Sequence, residues 1–255
     1  MNATAARLTA LGRAELTLLS RNRNNLFIAV LMPVLMIFLL RSSLTNLDGD
    51  LPMGIAGATL VGGTGMVLVL VVYMSLVSTY VARREELVLK RLRSGEARDA
   101  EILAGGALPA SVIALVQCAI LTALGPTVLE ASAPRRPDLL LAGVLGGIVL
   151  LVAAAAVTTV ITRSVESAGL TTLPFFLISA MGSGLMVPVD TLPDPVASVA
   201  GLLPLSGVME LIRAGWLGAG AVGGKELLGA GLTTVAWIVL SVFAVRKWFR
   251  WEPRR

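Results

Sequence analysis

Long apolar runs separated by short polar or basic segments dominate the chain. Six runs stand out, at 26–41, 54–81, 105–128, 139–162, 168–187 and 229–248. A helix rising about 1.5 Å per residue needs about 20 residues to cross a hydrocarbon core of about 30 Å, so the pattern predicts spanning helices. Pro33 and Pro174 fall inside two of the runs. Neighbouring helices in a membrane bundle can satisfy the backbone groups that such prolines free.

Three segments depart from this pattern. Residues 4–22, "TAARLTALGRAELTLLSRN", set Leu8, Leu11, Leu18 and Leu19 against Arg7, Arg13, Glu15 and Arg21. Over 1–25 this predicts an amphipathic helix lying on a membrane surface, with a disordered tail as the alternative. Residues 83–106, "RREELVLKRLRSGEARDAEILAGG", are longer than a plain connection requires. Leu87, Lys90, Arg91 and Ser94 recur at helical spacing, a break follows at Ser94-Gly95, and a second short helix runs into Ile102-Leu103. A short charged helix of this kind suits docking onto a soluble partner; a solvated loop is the other reading.

The third segment is "GLMVPVDTLPDPVASVAGLLPLSGVMELIR", residues 184–213. Pro188, Pro193, Pro195 and Pro204 break it, yet it stays too apolar for a water-exposed loop. Asp194 with Pro195 reads as a helix start, and Pro204 ends that helix near residue 203. A second helix is expected from about Ser206 to Trp216, with Glu210 and Arg213 one turn apart. At the helical rise the two reach only about 13 Å and 17 Å, too short to cross. The region 188–217 therefore predicts a re-entrant helical hairpin between the fifth and sixth spans, protected within protein. The fold class is an all-α membrane protein forming one domain over 1–255: six spans, an interfacial helix and this hairpin.

Composition agrees. Hydrophobic residues make up 56% and charged residues 15% of the chain, against about 25% charged in an average soluble domain. Four arginines precede the first run and no small-residue cleavage site follows it, so that run reads as a retained helix rather than a signal peptide. Histidine is absent, which excludes histidine-based triads and most catalytic zinc sites. The lone Cys118 lies in an apolar run and reads as a buried structural thiol. The excess of arginine over lysine, with abundant Ala, Gly and Val, fits a GC-rich bacterial genome.

Charge sets the expected orientation. With both termini cytoplasmic, the inside segments hold 16 of the 21 basic residues and the outside segments hold 5. The outside set is Arg41, Arg135, Arg136, Arg213 and Lys225. That asymmetry follows the positive-inside rule. The basic isoelectric point is thereby explained by anionic membrane lipids and requires no nucleic-acid partner.

The order of these segments resembles the type-2 ABC transporter permeases, the membrane halves of bacterial ABC exporters. The resemblance covers nearly the whole chain. It is most specific at Ser183-Gly184…Pro188…Leu192-Pro193…Leu203-Pro204…Glu210…Arg213, where the family forms its short extracellular-side helices. Leu92-Arg93 and Glu101-Ile102-Leu103 sit where the family has its coupling helix, although a common proline there is Glu96 here and a serine position is Arg98. The resemblance implies a coupling loop over 83–104, with Arg91, Arg93, Ser94, Gly95, Glu96 and Arg98 facing an ATPase. It implies a second permease copy, as a homodimer or heterodimer, and two ATPase subunits that bind ATP and magnesium. It also implies alternating access and a place in the bacterial plasma membrane.

No GxxxxGK[ST] phosphate loop is present; "GAVGGKEL" at 220–227 lacks its first glycine and its Ser/Thr. Hydrolysis is therefore expected in a separate subunit, and the chain itself is not expected to be an enzyme. The expected cargo is a small hydrophobic or amphipathic compound of the drug or antibiotic kind, as in multidrug efflux and antibiotic resistance, with lipid or glycan export as the alternative. A further alternative is a non-transporting sensor or immunity protein. An intramembrane hydrolase is disfavoured because no lysine lies at mid-membrane depth and the acidic residues fall in loops.

Spans two and five face the central pathway in the family. On the second span Met66, Tyr73 and Tyr80 recur every seven residues, as a candidate substrate wall, with an interfacial anchor as the other reading of Tyr80. On the fifth, Thr171, Thr172, Phe175, Ser179 and Met186 mix polar and soft apolar surface. Gly143 and Gly147, four apart in the fourth span, permit close helix packing, either within the chain or at a dimer seam.

Overall fold

A computed structural model of the chain describes residues 54–95, 98–184, 193–218 and 223–252, with single positions before residue 54. The expected interfacial helix (1–25) and first span (26–41) lie outside the described residues, as do Glu96, Met186 and Pro188. Every regular element among the described residues is helical. Five of these helices are long and apolar enough to cross a membrane: α1 (Gly54–Glu85), α3 (Asp99–Val128), α4 (Pro137–Thr158), α5 (Val165–Gly182) and α8 (Gly224–Trp248). Between them lie three short helices, α2 (Val88–Arg93), α6 (Asp194–Ala200) and α7 (Ser206–Leu217).

Helix α1 supplies much of the core. Leu60, Leu68, Val72, Tyr73, Leu76, Val77 and Tyr80 are all buried along it. Its middle, Leu68–Met74, winds as a π-helix, a feature that the uniform apolar run did not predict. A seven-residue stretch of wider turns is longer than the usual single-turn bulge and shifts the register of everything beyond it.

Helix starts follow local chemistry. Asp138 and Pro137 open α4, where proline loses no needed N–H bond. Ser164 and Ser167 cap α5 reciprocally, each side chain accepting from the other's backbone N–H. Helix α3 begins at Asp99, six residues before the expected span, so the predicted second short helix is continuous with the long one. The Glu101 carboxylate accepts the Arg98 N–H at 2.9 Å and fixes that start. Helix α6 also begins one residue earlier than expected: Asp194 is its first helical residue and Pro193 its cap. Tight turns carry the chain from Ala200 to Leu203, and α7 follows Pro204 from Ser206.

Packing centres on α4, which lies against α7, α8 and α1. A side chain on Gly143 would meet Ile212 at 2.9 Å, and one on Gly147 would meet Leu68 and Val208 at 2.9 Å. The glycine pair is therefore filled from within the chain, by α7 and α1, rather than left open as a seam. Helix α7 buries Val208, Met209, Leu211, Ile212, Ala214 and Trp216. Its last carbonyls, which have no intrahelical donor, accept from the loop before α4: Arg136 N–H donates to Gly215 at 2.9 Å and Arg135 N–H to Trp216 at 3.4 Å.

These contacts sort the loops onto two ends of the bundle. The α1–α3 connection, the α4–α5 turn and the segment after α8 share one end; the α3–α4 loop and the C-terminal end of α7 share the other. The first end carries Arg83, Arg84, Lys90, Arg91, Arg93, Arg163 and Lys247 among its basic residues. The described residues of the expected basic group thus lie at one end of the bundle.

Candidate functional site

The basic end is built around a short, well-anchored helix. Helix α1 stops after Glu85, and Leu87 then adopts a left-handed conformation (φ 60°) that few non-glycine residues take. That residue redirects the chain into α2. In α2 only Leu89 is buried, at 1% exposure, while Lys90, Arg91 and Arg93 point outward. The expected break at Ser94-Gly95 is present: the Ser94 hydroxyl donates to Arg91 O at 2.8 Å, and Gly95 N–H donates to Leu92 O at 3.2 Å. Arg93 bridges to Asp99 at 3.2 Å in the first turn of α3, and Arg98 caps that helix. Of the six expected coupling residues, Arg91, Arg93, Ser94, Gly95 and Arg98 are gathered here and exposed.

Two side chains lock this end to the bundle. Tyr80 is buried and donates its hydroxyl to Leu103 O at 2.8 Å, tying α1 to the start of α3. Its ring and the Arg83 guanidinium lie over Gly106, where an added Cβ would sit 3.2 Å from each. Arg84 is buried at 1% exposure and donates to Thr159 O at 2.8 Å and Thr162 O at 2.7 Å. It thus satisfies carbonyls in the turn after α4, and a cation at a helix C-terminus also opposes the negative end of the helix dipole. Charge counting placed Arg84 at this end but gave it no role, because two adjacent arginines look alike until packing buries one.

The inner residues expected to line a pathway divide into two groups. Tyr73 and Phe175 are brought together, with ring centroids 4.5 Å apart. The Tyr73 hydroxyl also pairs with the Thr158 hydroxyl at 3.0 Å, so α1, α4 and α5 meet at one point. Thr158, which the sequence did not single out, completes that junction. Thr171 pairs with Thr162 at 2.8 Å, Thr172 bonds back to Gly169 O at 2.9 Å, and Ser179 is buried with no hydrogen-bond partner. Met66 is half-buried, whereas Tyr73 and Tyr80 face the interior of the chain itself.

At the opposite end, the α6–α7 pair forms the expected two short helices. The Ser206 hydroxyl lies against Gly182 O (3.2 Å) and Ala200 O, joining the ends of α5 and α6 to the start of α7. Trp237 Nε1–H donates to Leu202 O at 2.8 Å, so α8 holds the same turn. Glu210 and Arg213 pair at 3.3 Å, with side chains 28% and 13% exposed. Their partial burial comes from α7 packing into the bundle.

Among the described residues no group of three or more acidic or cysteine side chains is placed to hold a metal. What the arrangement offers is a basic platform, an aromatic and hydroxyl junction between three long helices, and two short helices of which α7 is buried while Val196 and Val199 of α6 are exposed. No curated protein matches the chain. The family model described as ABC-2 type transporter matches residues 6–217, which is most of the chain and includes the platform, the junction and the hairpin. The chain therefore belongs to the ABC-2 type transporter family, as a multi-pass membrane permease whose family implies an ATPase partner.

Proposed function

We propose that the chain is the permease subunit of an ATP-driven exporter, with six spans and both termini in the cytoplasm of a bacterial cell. It pairs with a second permease copy and with two ATPase subunits, which bind ATP and magnesium. Its cargo is a small hydrophobic or amphipathic compound. The observation that carries this reading is α2: a basic helix of six residues, fixed by one buried leucine and offering Arg91 to solvent at the end where the long helices are tied together. Movement of α2 reaches α1 through Leu87, α3 through the Arg93–Asp99 bridge, and α4 through the adjacent Arg84. These helices meet α5 at Tyr73, Thr158 and Phe175, so a push at the platform is delivered to that junction. The α6–α7 pair, too short to cross and largely walled by protein at α7, is the re-entrant closure on the outer side.

The experiment is transport with the ATPase co-expressed. Inverted vesicles carrying both proteins should take up ethidium when ATP is added, and the chain purified alone should hydrolyse no ATP. Replacing Arg91, Arg93 and Arg98 together by alanine should abolish uptake while membrane insertion stays normal. Full uptake by the triple variant would refute coupling through this loop.

A further inference from the structure

Helix α2 is short for an element that must bear load. A six-residue helix has too few internal hydrogen bonds to hold itself, so its stability has to come from outside. Leu89 is its one buried side chain, and the chain leaves it through a strained Leu87 on one side and a break at Ser94-Gly95 on the other. Asp99 of α3 pairs with Arg93 at 3.2 Å, and further support comes from the residues that follow α8. Glu252 pairs with Lys90 at 2.8 Å, and the Arg93 guanidinium lies 5.0 Å from the centre of the Trp251 ring. Phe249 meets Trp251 edge-on at 4.9 Å, and both rings pack against the apolar core.

The geometry divides α2 into two faces. Lys90 and Arg93, three residues apart, turn toward the tail, and Arg93 is held from both sides by Asp99 and Trp251. Arg91 points elsewhere and is exposed. A tail that served only as a basic membrane anchor would have no use for an acid paired with Lys90 and a ring set against Arg93. Through this tail α8, which otherwise packs on α4 and α7, becomes connected to α2 at the basic end.

We propose that residues 249–252 brace α2, setting the angle at which Arg91 meets the ATPase and passing the movement of α2 on to α8. Trp251 is the central positioning residue, and the inference rests on α2 being the docking element. An exposed ion pair such as Lys90–Glu252 contributes little by itself, so the ring beneath Arg93 carries most of the effect.

The test uses the full chain copurified with its ATPase and placed in liposomes, with ethidium as the transported probe. Trp251→Ala should retain ATPase binding while transport per ATP hydrolysed falls about twofold to fivefold, the range that loss of one exposed cation–π contact produces. Trp251→Phe should restore most of that ratio. In a Cys118→Ala background, Lys90→Cys with Glu252→Cys should be joined by a short bis-maleimide and remain active. A normal ratio in Trp251→Ala, or failure of the pair to cross-link, overturns the brace. Arrest of transport by the cross-link, with faster hydrolysis in Trp251→Ala, makes the tail a restraint and also overturns it. Arg91→Glu tests the underlying reading: normal ATPase copurification in that variant would remove docking at α2, whereas its loss, together with an unchanged Trp251→Ala, removes the brace alone.

Discussion

Removing Glu210 strands the most deeply placed cation of the hairpin. Arg213 is 13% exposed in its side chain, its Nε is buried without a hydrogen-bond partner, and its guanidinium pairs with Glu210 at 3.3 Å. A fully buried pair costs about 3–5 kcal/mol when one member is removed, and an exposed pair at most about 1 kcal/mol. At this exposure, Glu210→Ala should cost about 2–4 kcal/mol, nearer the buried limit than the exposed one. Arg213→Ala should cost less, because Glu210 is 28% exposed and has further interactions. The double variant should be more stable than Glu210→Ala alone, since no charge is then left behind. For a chain of this size, 1 kcal/mol moves the melting temperature by about 2–4 °C, so Glu210→Ala should melt roughly 5–15 °C below the parent in detergent. A double-mutant cycle built from these melts isolates the pair. Losses that simply add, or both single variants within about 3 °C of the parent, would refute the buried-pair reasoning and leave a solvated pair.

Other outcomes follow from single contacts. Arg84→Lys should cost about 2–4 kcal/mol, because one ammonium cannot replace a fork that reaches both Thr159 O and Thr162 O; unchanged detergent unfolding would refute that. Gly143→Val should destabilise by about 1–3 kcal/mol against Ile212, while Gly169→Ala, with open space around it, should be neutral or stabilising in the same melt. Tyr80→Phe should cost about 0.5–1.5 kcal/mol for the bond to Leu103 O, with hydrogen exchange at the start of α3 as the readout. In a Cys118→Ala background, Ala133→Cys should react with an impermeant thiol reagent in intact cells and Gly95→Cys should not; labelling at Gly95 would reverse the proposed orientation.

Much of the architecture was legible because membrane helices announce themselves locally. Apolar length alone marks α1, α3, α4, α5 and α8, since backbone groups in lipid leave few alternatives to helix. Pro204 keeps α7 from continuing α6 for an equally local reason, since it restricts the residue before it and cannot continue a helix, although α6 already ends at Ala200, short of the expected residue 203. The break after Arg93 and the basic character of its surroundings are likewise written in adjacent residues. Tertiary structure decided which of these residues touch. It buried Arg84 and left Arg91 exposed, although both are arginines at the same end of the bundle. It wound Leu68–Met74 as a π-helix, filled Gly143 and Gly147 from α7 and α1, and laid Trp251 over Arg93 some 158 positions earlier in the sequence. Those outcomes depend on side-chain packing between segments far apart in the chain, and no local pattern of apolar and polar positions encodes them.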